Sequence, residues 1–366
     1  MMQCFNKTLP TAIRADNLAS VCSRHPGASG RPIAGGAPGQ ELAKRSRPSR
    51  SRQQAFRMTV AACAAASDAQ QQHLGVPADL VALAHRLADA AAEITTKYFR
   101  SPLEVESKSD ASPVTEADRQ AEEAMRVVLQ EHAPTHAVFG EEGGMHAGEP
   151  EQDGSHSGYL WVLDPIDGTK SFITGKPVFG TLIALLKDGT PVLGVLDQPI
   201  TKERWVGAAG QQTTLNGKPV RTRSCSDISV AYLYATTPHM FSGANETAFN
   251  RVRDNVRIPL YGCDCYAYGL LSAGFCDLVV EADMKPYDFL ALVPIVEGAG
   301  GVMTDWEGQK LRWAVTPSHD YALASLPGEV IAAGDAQLHQ QALQLLDWNQ
   351  PDIADVGGKD VAYQTS

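Results

Sequence analysis

The segment Trp161-Val-Leu-Asp164-Pro-Ile-Asp167-Gly-Thr169 constrains this chain more than any other. The apolar run from Tyr159 to Leu163 has the composition of a buried strand. It ends in two aspartates, Asp164 and Asp167, followed by Gly168 and Thr169. Carboxylates at the end of a buried strand, with glycine beyond them, suit hard divalent cations and a phosphate held by backbone N–H groups. A turn is the competing reading, because Asp and Gly also favour turns. The apolar strand and the pairing of the acids favour the functional one.

Further acids lie in Gly140-Glu141-Glu142-Gly143, before this segment, and in Tyr287-Asp288, well after it. Glu141, Asp164, Asp167 and Asp288 in one pocket would repel and raise one another's pKa values. Two Mg²⁺ ions would neutralise them, and a third could offset an incoming phosphate dianion. In two-metal sites the ions sit roughly 3.5–4 Å apart and stabilise attacking and leaving oxygens together. Each acid has a plainer alternative. Asp288 could cap the helix that follows it, and Glu141 could be a solvated loop acid. Asp118 follows Thr115 at the spacing of a capping box, and it could also polarise Thr169.

The formal charge of −11 is unevenly distributed. Residues 1–60 carry eight Arg and two Lys against Asp16 and Glu41. The remainder holds 21 basic and 40 acidic residues and is near −19, which argues against a nucleic-acid partner. The basic segment is rich in Ser, Gly and Pro and has no periodic apolar pattern. It reads as a transit peptide, and Arg57-Met-Thr-Val60-Ala61-Ala62-Cys63-Ala64 resembles a chloroplast-type processing site. A disordered basic arm has the same composition. The chloroplast stroma is the expected location, ahead of the mitochondrion. No apolar run approaches the ~20 residues of a membrane span. The seven cysteines show no structural-zinc spacing and read as free thiols.

Apolar spacing predicts a helix from Val76 to Arg100, a polar loop from Glu104 to Pro113, and a helix from Thr115 to about His132. A short strand follows at Ala137–Gly140, then a loop over 143–158. Residues 159–220 read as strands, with hairpin turns at Lys187-Asp-Gly189 and Asn216-Gly217. Beyond 225, strands at 230–236, 256–260, 278–281, 302–305 and 330–333 alternate with helices at 265–273, 288–299 and 337–346. This divides the chain into a leader (1–60), an α+β half (about 74–222), an α/β half (223–350) and a tail (351–366).

From about 77 to 346 the chain resembles the inositol monophosphatase family. The resemblance rests on Gly140-Glu-Glu-Gly, Trp161-Val-Leu-Asp-Pro-Ile-Asp-Gly-Thr169, Pro113-Val-Thr-Glu-Ala-Asp118, and Tyr287-Asp288 before Glu297-Gly-Ala-Gly-Gly301. It implies an αβαβα layered sandwich, one unit over 74–350, with the site between its halves. It implies two or three Mg²⁺ held by Glu141, Asp164, Asp167, Asp288 and the Ile166 carbonyl. Glu141, Thr169 and Asp118 would be catalytic, the last two positioning and activating a water. The N–H groups of Gly168 and Thr169 would hold phosphate. The partner implied is a small-molecule phosphate monoester, and the assembly implied is a homodimer.

Two positions depart from the family: Gly143 stands where Ser is frequent, and Tyr287 where inositol-specific members usually have Trp. Cys263-Asp-Cys-Tyr-Ala-Tyr268 and Lys285-Pro-Tyr-Asp-Phe-Leu290 resemble the histidinol-phosphate phosphatase branch. That branch implies hydrolysis of L-histidinol phosphate in histidine biosynthesis, with Glu281 and Asp264 as candidate acids for the cationic product moiety. They could instead be a strand-end acid and a helix N-cap. Inositol phosphate or a sugar phosphate such as galactose 1-phosphate is the rival substrate. A haloacid dehalogenase-like mechanism needs a nucleophilic aspartate where Pro165 stands. A non-catalytic, metal-dependent binding protein on the same scaffold is the alternative of a different class.

Overall fold

Alternation along the Tyr159–Asp167 strand sends Leu160 and Val162 to one side of a sheet and Trp161 and Leu163 to the other. Both sides are buried, so this sheet has a layer on each face. The structure is a computed structural model that describes residues 75–102, 104–107, 113–313 and 328–349. The leader over 1–60, the cysteines Cys4, Cys22 and Cys63, and the tail over 351–366 lie outside these residues.

The first sheet has eight strands. In spatial order they are Lys218–Pro219, Thr214–Leu215, Glu203–Ala208, Thr190–Gln198, Gly180–Lys187, Tyr159–Asp167, Ala137–Gly140 and Gly144–His146. Only the pair Ala137–Gly140 and Tyr159–Asp167 runs parallel. The second sheet orders Ile258–Tyr261, Tyr232–Ala235, Leu278–Glu281, Val330–Ala333 and Val302–Asp305. Val330–Ala333 pairs antiparallel with both its neighbours, and the remaining pairs are parallel.

Helices Ala78–Tyr98 and Glu116–His132 cover the outer face of the first sheet, where Leu83, Leu87, Ala121 and Met125 meet Trp161, Ile183 and Val195. Helices Tyr266–Ser272 and Leu292–Gly298 lie between the two sheets, against Leu196 and Trp205 on one side and Val279 and Ala332 on the other. Helices Gly243–Arg253 and Ala336–Leu346 close the far face through Phe249, Val252, Leu338 and Ala342. The layers therefore run αβαβα. Each fully buried leucine or valine in them contributes ~1.5–3 kcal/mol over an exposed one. The central layer fits because Gly194 and Gly207 carry no Cβ. One at Gly194 would overlap the Ala291 carbonyl, and one at Gly207 the Pro294 carbonyl.

Local chemistry explains most boundaries. The Thr115 hydroxyl accepts the Ala117 N–H at 3.2 Å and the Asp118 carboxylate accepts the Thr115 N–H at 2.8 Å, completing the expected capping box. Both expected hairpin turns use left-handed pairs, Asp188 with Gly189 and Asn216 with Gly217.

The structure corrects four expectations. The polar loop from Glu104 contains Val105–Ser107, which pairs with Pro113–Thr115. The loop over 143–158 begins as an edge strand, Gly144–His146. The helix expected at 288–299 is two, Pro286–Phe289 and Leu292–Gly298. Helix Gly243–Arg253 was not foreseen. Its Gly, Asn and Thr give weak propensity, and tertiary bonds hold it: Arg251 donates to the Leu345 and Asp347 carbonyls, each at 2.7 Å.

Candidate active site

In a regular strand Asp164 and Asp167 would face opposite sides. The pairing of Tyr159–Asp167 with Gly180–Lys187 slips register between these two residues. The irregularity turns both carboxylates toward one cavity. The Asp164 carboxylate accepts the Ile166 N–H at 3.0 Å and Thr181 donates its hydroxyl to the Pro165 carbonyl at 2.8 Å, so the slip is pinned on both sides.

Gly168 follows at φ 82° and caps the short helix Thr169–Ile173. A side chain there would be strained by this φ, and its Cβ would lie 2.8 Å from Asp264 Cγ. Asp288 arrives from the second half, on Pro286–Phe289, and its carboxylate accepts the Lys285 N–H at 2.7 Å. Glu141 arrives from the turn after Ala137–Gly140. These four residues, with Ile166, Gly168, Thr169, Asp264 and Glu281, line a cavity of about 260 Å³.

Ligand oxygens of Asp164, Asp167 and Asp288 lie within 4.8 Å of one another. Burial pushes the Asp164 carboxyl well above the ordinary range, and the charges of Glu141, Asp167 and Asp288 push it further. Burial also raises Asp167, followed by the charges of Asp264 and Asp288. Asp288 rises to about 7, mainly through burial, against the opposing Lys285 N–H. Buried like charges at this spacing are relieved either by protons or by cations. The converging ligand atoms are all carboxylate oxygens, the donor set of a hard divalent ion, so the residues fit Mg²⁺.

The remaining predicted residues take more specific places. Asp118 is buried, and one oxygen accepts both the N–H and the hydroxyl of Thr115, at 2.8 and 2.6 Å. Its other oxygen has no hydrogen-bond partner among the described residues. The Thr169 hydroxyl donates to the Ile166 carbonyl at 3.2 Å. The Thr169 hydroxyl is thus directed to Ile166, and no hydrogen bond joins it to Asp118, whose capping box uses only one carboxylate oxygen. Glu281 is 1% exposed and accepts the Thr236 N–H and hydroxyl on one oxygen, at 2.9 and 2.5 Å, and the Tyr268 hydroxyl on the other at 2.8 Å. Asp264 accepts the Ser171 hydroxyl at 2.5 Å and does not cap the Tyr266–Ser272 helix.

Sequence reasoning missed Glu122, Thr236, Met240 and Met284. The last three line the cavity. Glu122 left one signal: an acid on the same buried helix face as Ala117, Ala121 and Met125.

Comparison with known proteins agrees with this geometry. The inositol monophosphatase family model matches residues 77–348. A protein of Arabidopsis thaliana named "Bifunctional phosphatase IMPL2, chloroplastic" is 56% identical over 268 residues, 73% of this chain and 75% of its own. A histidinol-phosphatase of Chlorobaculum parvum is 35% identical over 230 residues, 62% of this chain and 86% of its own. A solved inositol monophosphatase from Zymomonas mobilis superimposes with a TM-score of 0.63 at 49% identity, covering 73% of this chain and 97% of that one. The chain belongs to the inositol monophosphatase family, whose fold and acid cluster are those of a phosphatase.

Proposed function

We propose that the chain is a Mg²⁺-dependent phosphomonoesterase that hydrolyses L-histidinol phosphate to L-histidinol and phosphate. The observation that carries the chemistry is the convergence of Asp164, Asp167 and Asp288. Glu141 and the Ile166 carbonyl complete the set that would hold two or three ions. When bound, Mg²⁺ supplies positive charge for the phosphoryl oxygens and the leaving alkoxide and makes a coordinated water more acidic. The N–H groups of Gly168 and Thr169 hold the phosphate, and the Thr169 hydroxyl orients the attacking water. Asp118 fixes the start of its helix through Thr115. Water attacks phosphorus in line, the ester P–O bond breaks, and the alcohol leaves with a proton.

Two findings support histidinol phosphate. The relative from Chlorobaculum parvum is named histidinol-phosphatase. Asp264 and Glu281 add acid to the cavity wall beyond the metal cluster, and ionised carboxylates have acceptor sites beyond the bonds they make here. The likeness to the Zymomonas mobilis enzyme favours inositol phosphate as second reading, with sugar phosphates beside it. A metal-dependent binding protein without turnover is the third. Phosphate release that requires Mg²⁺, stops with a chelator and is lost in Asp164→Asn supports the enzyme. Asp164→Asn activity within about tenfold of the unmodified chain, ~1.4 kcal/mol of barrier, contradicts the cluster's role.

The same reading places the protein in the plastid stroma as a homodimer acting on a small molecule, not on nucleic acid or membrane. The name of the Arabidopsis relative supports the plastid, and residues 1–60 would be the transit peptide. Among the described residues no helix is long and apolar enough to cross a membrane. Residues 1–60 fused to a fluorescent protein should reach plastids; retention in the cytosol contradicts the assignment.

A further inference from the structure

Glu122 is a carboxylate on the inward face of the Glu116–His132 helix, with only 2% of its side chain exposed. Such a group is disfavoured unless its lone pairs are used. One oxygen accepts the Glu142 N–H at 2.8 Å. The other accepts the Gly143 N–H and the Arg126 Nε–H, each at 2.8 Å. Arg126 also donates Nη2 to the Gly144 carbonyl at 2.7 Å. The two side chains therefore grip residues 142–144, directly after Glu141 reaches the cavity.

Gly140 and Gly143, on either side of Glu141 and Glu142, are there for space. A Cβ at Gly140 would overlap the Glu122 carboxylate. One at Gly143 would lie 2.8 Å from Glu122 Oε1 and 2.9 Å from Arg126 Nε. Gly143 does not have a positive φ, so its backbone would tolerate a side chain. Glu122 and Arg126 together occupy the room that a serine at 143 would need, which fits the glycine at this position.

We infer that Glu122, braced by Arg126 and admitted by Gly140 and Gly143, is a positioning residue that sets Glu141 against Asp164 and Asp288 and so sets the cluster's affinity for divalent cations. The inference rests on the Mg²⁺ reading above. Partners that orient metal ligands typically change metal affinity ten- to a hundredfold when altered.

The test is calorimetric titration of Mg²⁺ into the full chain and into Glu122→Gln, Gly143→Ser, Arg126→Ala and the Gly143→Ser/Arg126→Ala pair. Glu122→Gln keeps the shape but turns an amide donor toward backbone N–H groups, and should weaken Mg²⁺ binding roughly ten- to a hundredfold. Gly143→Ser should weaken it too, and Arg126→Ala in the same chain should recover part of that loss by vacating the space, a non-additive pair. Variants that bind Mg²⁺ within about twofold of the unmodified chain overturn the inference, as do independent, additive losses at 143 and 126. If Glu122→Gln does not fold, the Gly143 and Arg126 set decides alone. An unmodified chain that binds no Mg²⁺ overturns the proposed function as well.

Discussion

The Asp167 carboxylate accepts the backbone N–H of Cys265 at 2.7 Å, so one acid of the cluster also joins the two halves of the chain. The seam is reinforced nearby, where Ser171 donates to Asp264 and Lys176 to the Gly262 carbonyl at 2.7 Å. Burial, followed by the Asp167 charge, pushes the Cys265 thiol well up, so it stays protonated and contributes its backbone, not its sulfur.

Charge and bond at Asp167 can be separated. Asp167→Asn keeps an oxygen for the Cys265 N–H and removes a repelling charge; Asp167→Ala removes both. We expect the alanine variant to be less stable than the asparagine variant by ~1–3 kcal/mol in denaturant unfolding without metal. Both should lose most of the stabilisation that Mg²⁺ gives the unmodified chain. Equal stabilities for the two variants would deny the seam its role.

The raised carboxyls make metal-free stability depend on pH. Asp288 holds its proton up to about 7 in the folded chain, whereas an unfolded aspartate releases it near ~3.9. Between these values the folded state binds more protons, so stability falls as pH rises through the window. Asp164 and Asp167 shift the same way and deepen the fall. Melting temperature without metal should drop from about pH 5 to about pH 8, and added Mg²⁺ should restore it most at the upper end. A metal-free melting temperature that climbs across this window would contradict the repulsion.

Glu281 separates two roles. If it meets the cationic part of histidinol phosphate, Glu281→Gln should raise KM for that ester roughly ten- to a hundredfold, the worth of ~1.5–3 kcal/mol for a charged hydrogen bond. KM for galactose 1-phosphate should move far less. Equal losses on both esters would make Glu281 the anchor of Thr236 and Tyr268 alone.

The layers were legible because their cues are periodic and local. Leu160 and Val162 against Trp161 and Leu163 give the strand, and Thr115 with Asp118 gives the helix start. The metal-type acids stood out because carboxylates rarely end buried apolar strands. What escaped depends on long-range partners. The register slip that aligns Asp164 with Asp167 arises from pairing with a later strand. The Glu122 grip spans twenty residues of chain and reads locally as one more helix acid. Helix Gly243–Arg253 is held by carbonyls of the C-terminal helix, which no local window contains.

The central claim is tested most directly by phosphate release from histidinol phosphate, inositol 1-phosphate and galactose 1-phosphate at equal Mg²⁺ with the full chain. The account predicts the highest kcat/KM on histidinol phosphate, with release abolished by chelation. A higher kcat/KM on inositol 1-phosphate would contradict the substrate assignment, and no release from any of the three would contradict the enzyme.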